Sequence, residues 1–151
     1  MAEKILIVGA PGVGKTTLAE EERRRLGLGH FMCTDTEQQA RQARGVHPHA
    51  LYAPSVYNFS QHWSDLSQWV ADTWLNNAGP WVIEGVAVYR ALRKWHDAHP
   101  GEEAPCTALL WPTEPRIQLS ERAQQMGRTH DEKLSDLLLE WPELKAVTRL
   151  L

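Results

Sequence analysis

Short apolar runs recur along the chain, and four of them have the length of buried strands. The runs are Lys4–Val8, Phe31–Thr34, Trp81–Ile83 and Cys106–Trp111. The first, KILIV, is almost uninterrupted, which is typical of a strand covered by other elements on both faces. Segments with helical spacing separate the runs, so the alternation predicts an α/β domain with a parallel sheet and right-handed crossovers.

The segments between the runs place apolar residues on one side of a helix. In the longest, Ser60–Asn77, a buried stripe is predicted at Trp63, Leu66, Val70 and Trp74. The remaining predicted helices are Lys15–Leu26, a segment containing Arg41 and Arg44, Val88–His99, Glu114–Met126, Asp131–Glu140 and the tail Pro142–Leu151. Two prolines in His47–Asn58 predict an irregular loop there.

Composition narrows the class of protein without pointing to a function. A chain of 151 residues fits one domain that spans residues 1–151. The formal net charge of −3 excludes a surface that is positively charged as a whole, as many nucleic-acid-binding proteins have. No stretch approaches the ~20 apolar residues of a membrane-spanning helix. We therefore expect no membrane partner and a cytoplasmic location.

A glycine-rich segment between the first predicted strand and the first predicted helix carries the strongest chemical signal. Its residues, Gly9, Ala10, Pro11, Gly12, Val13, Gly14, Lys15 and Thr16, match G-x-x-x-x-G-K-[ST] at every fixed position. The glycines allow backbone N–H groups to converge on one point, and the helix N-terminus adds a partial positive charge. This phosphate loop predicts a binding site for nucleotide phosphates.

Three side chains of the phosphate loop and its helix have expected contacts. We expect Lys15 to reach the β- and γ-phosphates, the Thr16 hydroxyl to coordinate Mg²⁺, and Thr17 to bond to the α-phosphate. The predicted ligands are therefore ATP or GTP together with Mg²⁺. The motif does not distinguish between the two bases.

The phosphate loop, the strand-end Asp35, WVIEG and ERAQQMGR together resemble the small P-loop kinases, a group that includes nucleoside monophosphate kinases, shikimate kinase and polynucleotide 5′-kinases. The resemblance extends over most of the chain and is specific at the phosphate loop. It implies a three-layer P-loop NTPase fold with a parallel sheet of four or five strands, core order 2-3-1-4, and a short arginine-bearing lid. In the family order 2-3-1-4-5, Cys33 and Cys106 would lie on opposite edges of the core and form no disulfide.

Two carboxylates are expected where predicted strands end. Asp35 follows the second strand at the carboxyl edge of the sheet, where a carboxylate can deprotonate an acceptor hydroxyl or hold Mg²⁺ through water. The alternative for Asp35 is a cap on the next helix. Glu84 follows the third strand, and the resemblance implies that it serves the metal or the acceptor. The alternative for Glu84 is a hydrogen bond to the backbone.

Arginines late in the chain are candidates for stabilising a transferred phosphoryl group. Arg122 and Arg128 flank a segment that the resemblance identifies as the lid, with Gly127 as its hinge. An ordinary charged helix face is the alternative. Arg116, also predicted to be helical, is a secondary candidate.

Five more basic residues are candidate contacts for the acceptor substrate. They are Arg41, Arg44, Arg90, Arg93 and Lys94. The first two occupy the region where the resemblance implies a site for an acceptor phosphate. The other three lie at i,i+3 and i,i+4 spacing on one helix and suit an acceptor phosphate or a nucleic-acid backbone. Charge on a solvated helix face is the alternative for that cluster.

The C-terminal region departs from the family pattern. Asp131–Leu151 contains no β-branched apolar run, and its leucines at 134, 137 and 138 have helical spacing. This pattern leaves the fifth strand and the adenine pocket in question. Tyr52, Tyr57 and Phe59 in or beside the irregular loop are weak candidates for base stacking.

These features favour an ATP-dependent phosphotransferase that moves the γ-phosphoryl group to a small-molecule acceptor, with a nucleotide preferred. Lys15, Thr16 and Mg²⁺ would position the donor, and Asp35 would handle the acceptor. Two alternatives stay open. One is a kinase acting on a polynucleotide end or a hydroxymethylated DNA base; the other is a nucleotide-binding accessory ATPase or regulator without transfer activity. The sequence contains no indication of an oligomeric state.

Overall fold

The computed structural model describes residues 2–43 and 59–151. Within these ranges five strands form one sheet: β1 Lys4–Ile7, β2 Met32–Cys33, β3 Trp81–Glu84, β4 Ala108–Trp111 and β5 Thr148–Leu150. Every pairing is parallel, and the order across the sheet is β2-β3-β1-β4-β5. This order confirms the one implied by the resemblance to the small P-loop kinases.

Helices connect the strands and cover both faces of the sheet. They are α1 Lys15–Leu26, α2 Thr34–Ala43, α3 Phe59–Asp72, α4 Val88–Ala98, α5 Glu121–Glu140 and α6 Pro142–Ala146, with a 3₁₀ turn at Trp74–Asn76 after α3. The predicted helix Ser60–Asn77 is therefore shorter than expected. Its stripe is confirmed as packing, because Leu66 and Val70 are fully buried.

The alternation of side chains along β1 divides the core into two layers. Ile5 and Ile7 pack with Ala19 of α1 on one face of the sheet. Leu6 and Val8 point to the other face, where they join the larger cluster formed with α3, α4, α5 and α6. The near-continuous apolar run at the start of the chain is thus explained by a strand with helices on both sides.

The C-terminal strand corrects the prediction that the tail is helical throughout. Helix α6 ends at Ala146, and β5 then pairs with β4 in the register Leu109↔Thr148. Since β5 is a three-residue edge strand and Leu150 is 68% exposed, it needs no buried β-branched run. The fifth strand that the sequence left in question is present.

The region predicted as two helices, Glu114–Met126 and Asp131–Glu140, is one helix preceded by an extended segment. Helix α5 begins after Ser120, whose side chain accepts a hydrogen bond of 3.2 Å from the backbone N–H of Ala123. Residues 112–120 are not helical, because Pro112 and Pro115 disfavour helix at and before their positions. Both cysteines are free, with Cys106 lying just before β4.

Candidate functional site

The phosphate loop connects β1 to α1 and has the turn that an anion nest requires. Gly12 and Gly14 have φ angles of 81° and 85°, a left-handed conformation that side chains other than glycine rarely adopt. Gly14 caps α1, so the loop delivers its backbone to the N-terminus of that helix. The positive end of the helix dipole and the converging N–H groups favour a phosphate at this position.

Lys15 is folded back onto the loop that it is expected to serve. Its side chain is only 8% exposed, and Nζ donates a hydrogen bond of 3.0 Å to the carbonyl oxygen of Ala10. Burial lowers the pKa of Lys15, and the nearby carboxylates of Asp35 and Glu84 counteract that shift. A phosphate at the loop would replace the Ala10 carbonyl as the partner of this ammonium group.

Glu84 ends β3 directly beside Thr16. The Thr16 hydroxyl donates to Oε1 of Glu84 over 3.3 Å, and the Cys33 thiol donates to the same carboxylate. Burial raises the pKa of Glu84, since the residue is 2% exposed, and the like charge of Asp35 adds to the shift. Among the described residues, the hydrogen bonds to the Glu84 carboxylate come from the side chains of Thr16 and Cys33.

The Thr16–Glu84 pair suits a magnesium ion. A hydroxyl and a carboxylate oxygen are hard ligands, and Mg²⁺ usually takes one or two protein oxygens and fills its other positions with phosphates and water. Within residues 2–43 and 59–151, no group of three or more His, Cys, Asp or Glu side chains could hold a metal by itself. Thr16 and Glu84 fit an ion whose other ligands would be phosphate and water oxygens.

Asp35 lies in the first turn of α2 instead of at the end of a strand, because β2 stops at Cys33. Its Oδ1 accepts hydrogen bonds from the Val86 backbone N–H at 3.2 Å and from the Thr34 hydroxyl at 3.1 Å. These contacts tie the start of α2 to the turn between β3 and α4. The carboxylate is thereby held at the carboxyl edge of the sheet, as the sequence predicted.

The extended segment 112–120 lies across the phosphate loop. The Arg116 backbone N–H donates to the carbonyl oxygen of Gly12 over 2.7 Å. A Cβ placed on Gly14 would lie 2.8 Å from Arg116 Nε, and one on Gly12 would lie 2.8 Å from Leu119 Cδ2. The guanidinium of Arg116 therefore contacts the loop that was expected to hold the phosphates.

Two adjacent cavities open beside the phosphate loop. The inner cavity, about 240 Å³, includes Gly9, Trp63, Tyr89, Thr129 and His130 in its lining. The outer cavity, about 500 Å³, is bordered by side chains that include Asp35, Gln38 and Arg122. Both are lined by Pro11, Trp63, Val86 and Met126, so they lie next to each other, and the two together are referred to as the cleft.

Each cavity has a buried polar side chain that the sequence analysis missed. His130 is 4% exposed, and its Nε2 has no hydrogen-bond partner among the described residues. Gln38 is 3% exposed, and neither amide atom has a partner within the same ranges. Unpartnered buried polar atoms carry a free-energy cost and call for an explanation such as a ligand or water. The spacing of His130 with Leu134 and Leu137, i, i+4 and i+7, was the available signal.

Comparisons with known proteins support the fold that this geometry indicates. No protein-family model and no curated protein matches the sequence. Among solved structures, a shikimate kinase from Acinetobacter baumannii in complex with shikimate superposes with a TM-score of 0.57 at 14% identity, over 91% of this chain and 80% of that one. The chain has the fold of the small P-loop kinases.

A gluconokinase from Sinorhizobium meliloti is also similar, with a TM-score of 0.47 and 15% identity over 98% of this chain and 81% of that one. At these identities the likeness concerns the fold and not the chemistry. No helix in the described ranges is long and apolar enough to cross a membrane.

Within this P-loop kinase fold, α5 brings only one of the two predicted lid arginines to the cleft. Arg122 lines the outer cavity together with Asp35. Arg128 is exposed and donates a hydrogen bond of 2.7 Å to Gln125 on the same helix. Both lie in the continuous helix Glu121–Glu140, so the structure does not place a hinge between them.

Gly127 has a packing role in this fold. It is buried within α5, and a Cβ at this position would lie 2.9 Å from the Cβ of Ala10. Glycine therefore lets the helix backbone approach the phosphate loop closely. The hinge at Gly127 stays a prediction, and the contact across from this residue gives a separate reason for glycine inside a regular helix.

The other basic candidates are largely engaged by neighbouring side chains. Arg41 pairs with Glu37 at 3.4 Å and lies 4.6 Å from the ring centroid of Trp69, between α2 and α3. Arg93 pairs with Glu140, and Lys94 donates to Ser64 over 3.0 Å.

Arg90 alone of the cluster on α4 lines the inner cavity. The predictions for Arg44, Tyr52 and Tyr57 fall outside the described residues.

Proposed function

We propose that the protein is an ATP-dependent kinase that transfers the γ-phosphoryl group to a small-molecule acceptor. The observation that carries the proposal is the shared lining of the outer cavity. Pro11 of the phosphate loop, the Asp35 carboxylate and the Arg122 guanidinium border the same space. A donor phosphate on the loop and an acceptor in the cleft would therefore meet next to a base and a cation.

The chain's own residues account for the expected steps. Backbone N–H groups of the loop and Lys15 hold the donor phosphates, while Asp35 accepts the proton of the acceptor hydroxyl. The acceptor oxygen bonds to the γ-phosphorus as the bond from that phosphorus to the ADP oxygen breaks. Arg122 offsets the charge on the transferred group. Thr16 and Glu84 would hold Mg²⁺, which would supply charge neutralisation to the nucleotide phosphates.

A nucleotide is the favoured acceptor, and a polynucleotide is a less favoured one. In the basic cluster that motivated nucleic-acid binding, Arg93 is paired with Glu140, which leaves Arg90 and Lys94 as the cations without a carboxylate partner among the described residues. A bound backbone would need several unpaired cations on one surface. An accessory ATPase without transfer activity uses the same phosphate loop and is separated from a kinase only by experiment.

The test is transfer from γ-labelled ATP or GTP, with Mg²⁺, to panels of nucleosides, nucleotides, small metabolites and oligonucleotides. We expect label on a small molecule, and loss of about 10²–10³-fold or more in transfer for Lys15→Ala, because a cation that stabilises the transferred charge is removed. Lys145→Ala, at an exposed position of α6, is the matched control and should transfer normally. Label only in free phosphate would refute a kinase, and label on oligonucleotides alone would refute a small-molecule acceptor.

A further inference from the structure

The inner cavity has the size and walls of a site for one ring. Its volume of about 240 Å³ is below the range of about 300–1,000 Å³ that holds a drug-sized ligand. Trp63, Tyr89 and Met126 supply apolar and aromatic surface, and Gly9 of the phosphate loop closes one side. A planar ring would be desolvated by these mostly apolar walls, while a phosphate would find one arginine, Arg90, among the lining residues.

His130 gives this cavity a defined hydrogen-bond acceptor. Its Nδ1 lies 2.9 Å from Oδ1 of Asp131, and a carboxylate can only accept, so the neutral ring carries its proton on Nδ1. The lone pair of Nε2 is left without a partner among the described residues, in a side chain that is 4% exposed. Tyr89 packs edge-on against the imidazole at 4.8 Å and fixes its plane.

The charge state of His130 agrees with an accepting role. Burial lowers the pKa of His130, Lys15 lowers it further, and Asp131 counteracts both. The imidazole is therefore neutral near pH 7, and Nε2 is an acceptor instead of a donor.

Two polar side chains at the rim complement the imidazole. The Gln125 carbonyl oxygen accepts from Arg128, which directs the amide nitrogen of Gln125 to act as a donor. Thr129 adds a hydroxyl on the next turn of α5. A ring N–H group beside a carbonyl oxygen, as in uracil and guanine, matches an acceptor with donors on the same helix.

We propose that the inner cavity binds the uncharged planar base of a nucleoside or nucleoside monophosphate acceptor, with His130 Nε2 accepting a hydrogen bond from a ring N–H. The proposal rests on the kinase function above and names the part of the acceptor that the protein recognises. Because the two cavities share Pro11, Trp63, Val86 and Met126 in their linings, a molecule with its base in the inner cavity would place its sugar end toward Asp35 in the outer one.

The experiment measures binding without turnover. The Kd values of uridine and guanosine, and of their 5′-monophosphates, are determined by calorimetry and compared with those of N3-methyluridine and N1-methylguanosine, in which the ring N–H is replaced. We expect the wild-type protein to bind one parent at least about 10-fold more tightly than its methylated analogue, since a buried acceptor left unsatisfied costs about 1–3 kcal/mol. The nucleoside and monophosphate arms distinguish the two acceptor forms.

Variants of His130 decide whether that preference belongs to the imidazole. His130→Phe keeps an aromatic ring of similar volume but has no acceptor, so the preference for the parent over the methylated analogue should disappear. His130→Gln restores an acceptor oxygen and should recover part of it. His99→Phe, at the end of α4, is the matched control, because His99 stacks on Trp95 and does not line the cavity.

The outcomes separate this proposal from the kinase function. If no parent base binds more tightly than its methylated analogue, or if His130→Phe retains the preference, the proposal is refuted even when labelled phosphate is transferred to other acceptors. If the preference depends on His130 but no acceptor receives label, base recognition stands and the kinase function fails. Near-native thermal unfolding of His130→Phe shows that the variant is folded.

Discussion

The phosphate loop and the inner cavity share a wall at Gly9 but differ in how their polar groups are satisfied. In the loop, Lys15 is bonded to the Ala10 carbonyl and Thr16 to Glu84. In the cleft, His130 Nε2 and both amide atoms of Gln38 have no partner within residues 2–43 and 59–151. In the first region the polar groups are hydrogen-bonded to one another; in the second, buried acceptors and donors lack partners among the described residues.

This difference in hydrogen bonding predicts a different effect of ligand binding in each region. A nucleotide has to displace contacts that already stabilise the loop, so only the surplus over those contacts appears as affinity. A ligand in the cleft satisfies buried atoms that are otherwise a cost to the fold. We therefore expect substitutions in the loop to act on catalysis, and substitutions in the cleft to act on acceptor affinity.

Asp35→Asn makes the largest predicted change at the point where the two regions meet. Asparagine keeps an oxygen that can accept from Val86 N–H and Thr34, so the start of α2 should stay in place. It cannot take a proton, and loss of a general base costs about 10²–10⁴-fold in rate. We expect kcat for transfer to fall within that range while the Kd for ATP changes by less than about threefold.

Steady-state kinetics and a nucleotide titration measure the two quantities separately. Glu143→Gln, on the exposed surface of α6, controls for the loss of one carboxylate. Equal losses in kcat and nucleotide affinity would show that Asp35 only positions α2, and the comparison would lose its link between the loop and the cleft.

Gly127→Ala tests the close approach of α5 to the phosphate loop. The added methyl group would lie 2.9 Å from Ala10 Cβ, and overpacking of this kind costs about 1–3 kcal/mol, against which the higher helix propensity of alanine returns about 1 kcal/mol. We expect a net loss of about 1 kcal/mol in the free energy of unfolding and weaker ATP binding. Chemical denaturation and a nucleotide titration measure the two.

Gly29→Ala is the matched control, because a Cβ at Gly29 meets nothing within 4 Å. If Gly127→Ala were as stable as that control and bound ATP normally, α5 would move freely relative to the loop. The hinge predicted from the sequence would then gain support.

Sequence patterns predicted the features whose causes are local. The β1 run, the phosphate loop and α1 follow one another in the chain, so spacing alone defined them. The strand order came from the family resemblance. The edge strand β5 was missed because it is paired on one side and exposed, which removes the apolar signal from its residues.

The cleft could not be predicted in the same way, because its members meet only in the folded chain. Gly127 was predicted to be a hinge, and its close approach to Ala10 is visible only in the fold. Arg116 was expected on a helix, but the extended segment after β4 places it against Gly14. His130 has no motif around it; its role depends on Tyr89 from α4 and on the phosphate loop, both distant in sequence.

Glu84→Gln sharpens the comparison between the phosphate loop and the cleft, because it removes a buried negative charge whose desolvation destabilises the folded state. Burial raises the pKa of Glu84, so the folded state binds a proton more readily than the unfolded state, and wild-type stability falls as pH rises from about 4.5 through the folded pKa. Glutamine does not titrate. We expect the free energy of unfolding of the variant to rise relative to that of the wild type over that pH interval. At neutral pH the variant should be more stable by about 1 kcal/mol, or about 2–4 °C in Tm.

Thermal unfolding from pH 4 to 8, with Glu143→Gln as the exposed control, measures this difference. Adding Mg²⁺ and ATP should reverse the order at neutral pH, because the ligand stabilises the wild type by mass action and binds the variant less tightly. Parallel pH profiles for the two proteins would show that the buried carboxylate costs nothing. The polar groups around the phosphate loop would then carry no free-energy cost in the absence of a ligand. Within the described site, the cleft would be the only part in which a ligand relieves such a cost.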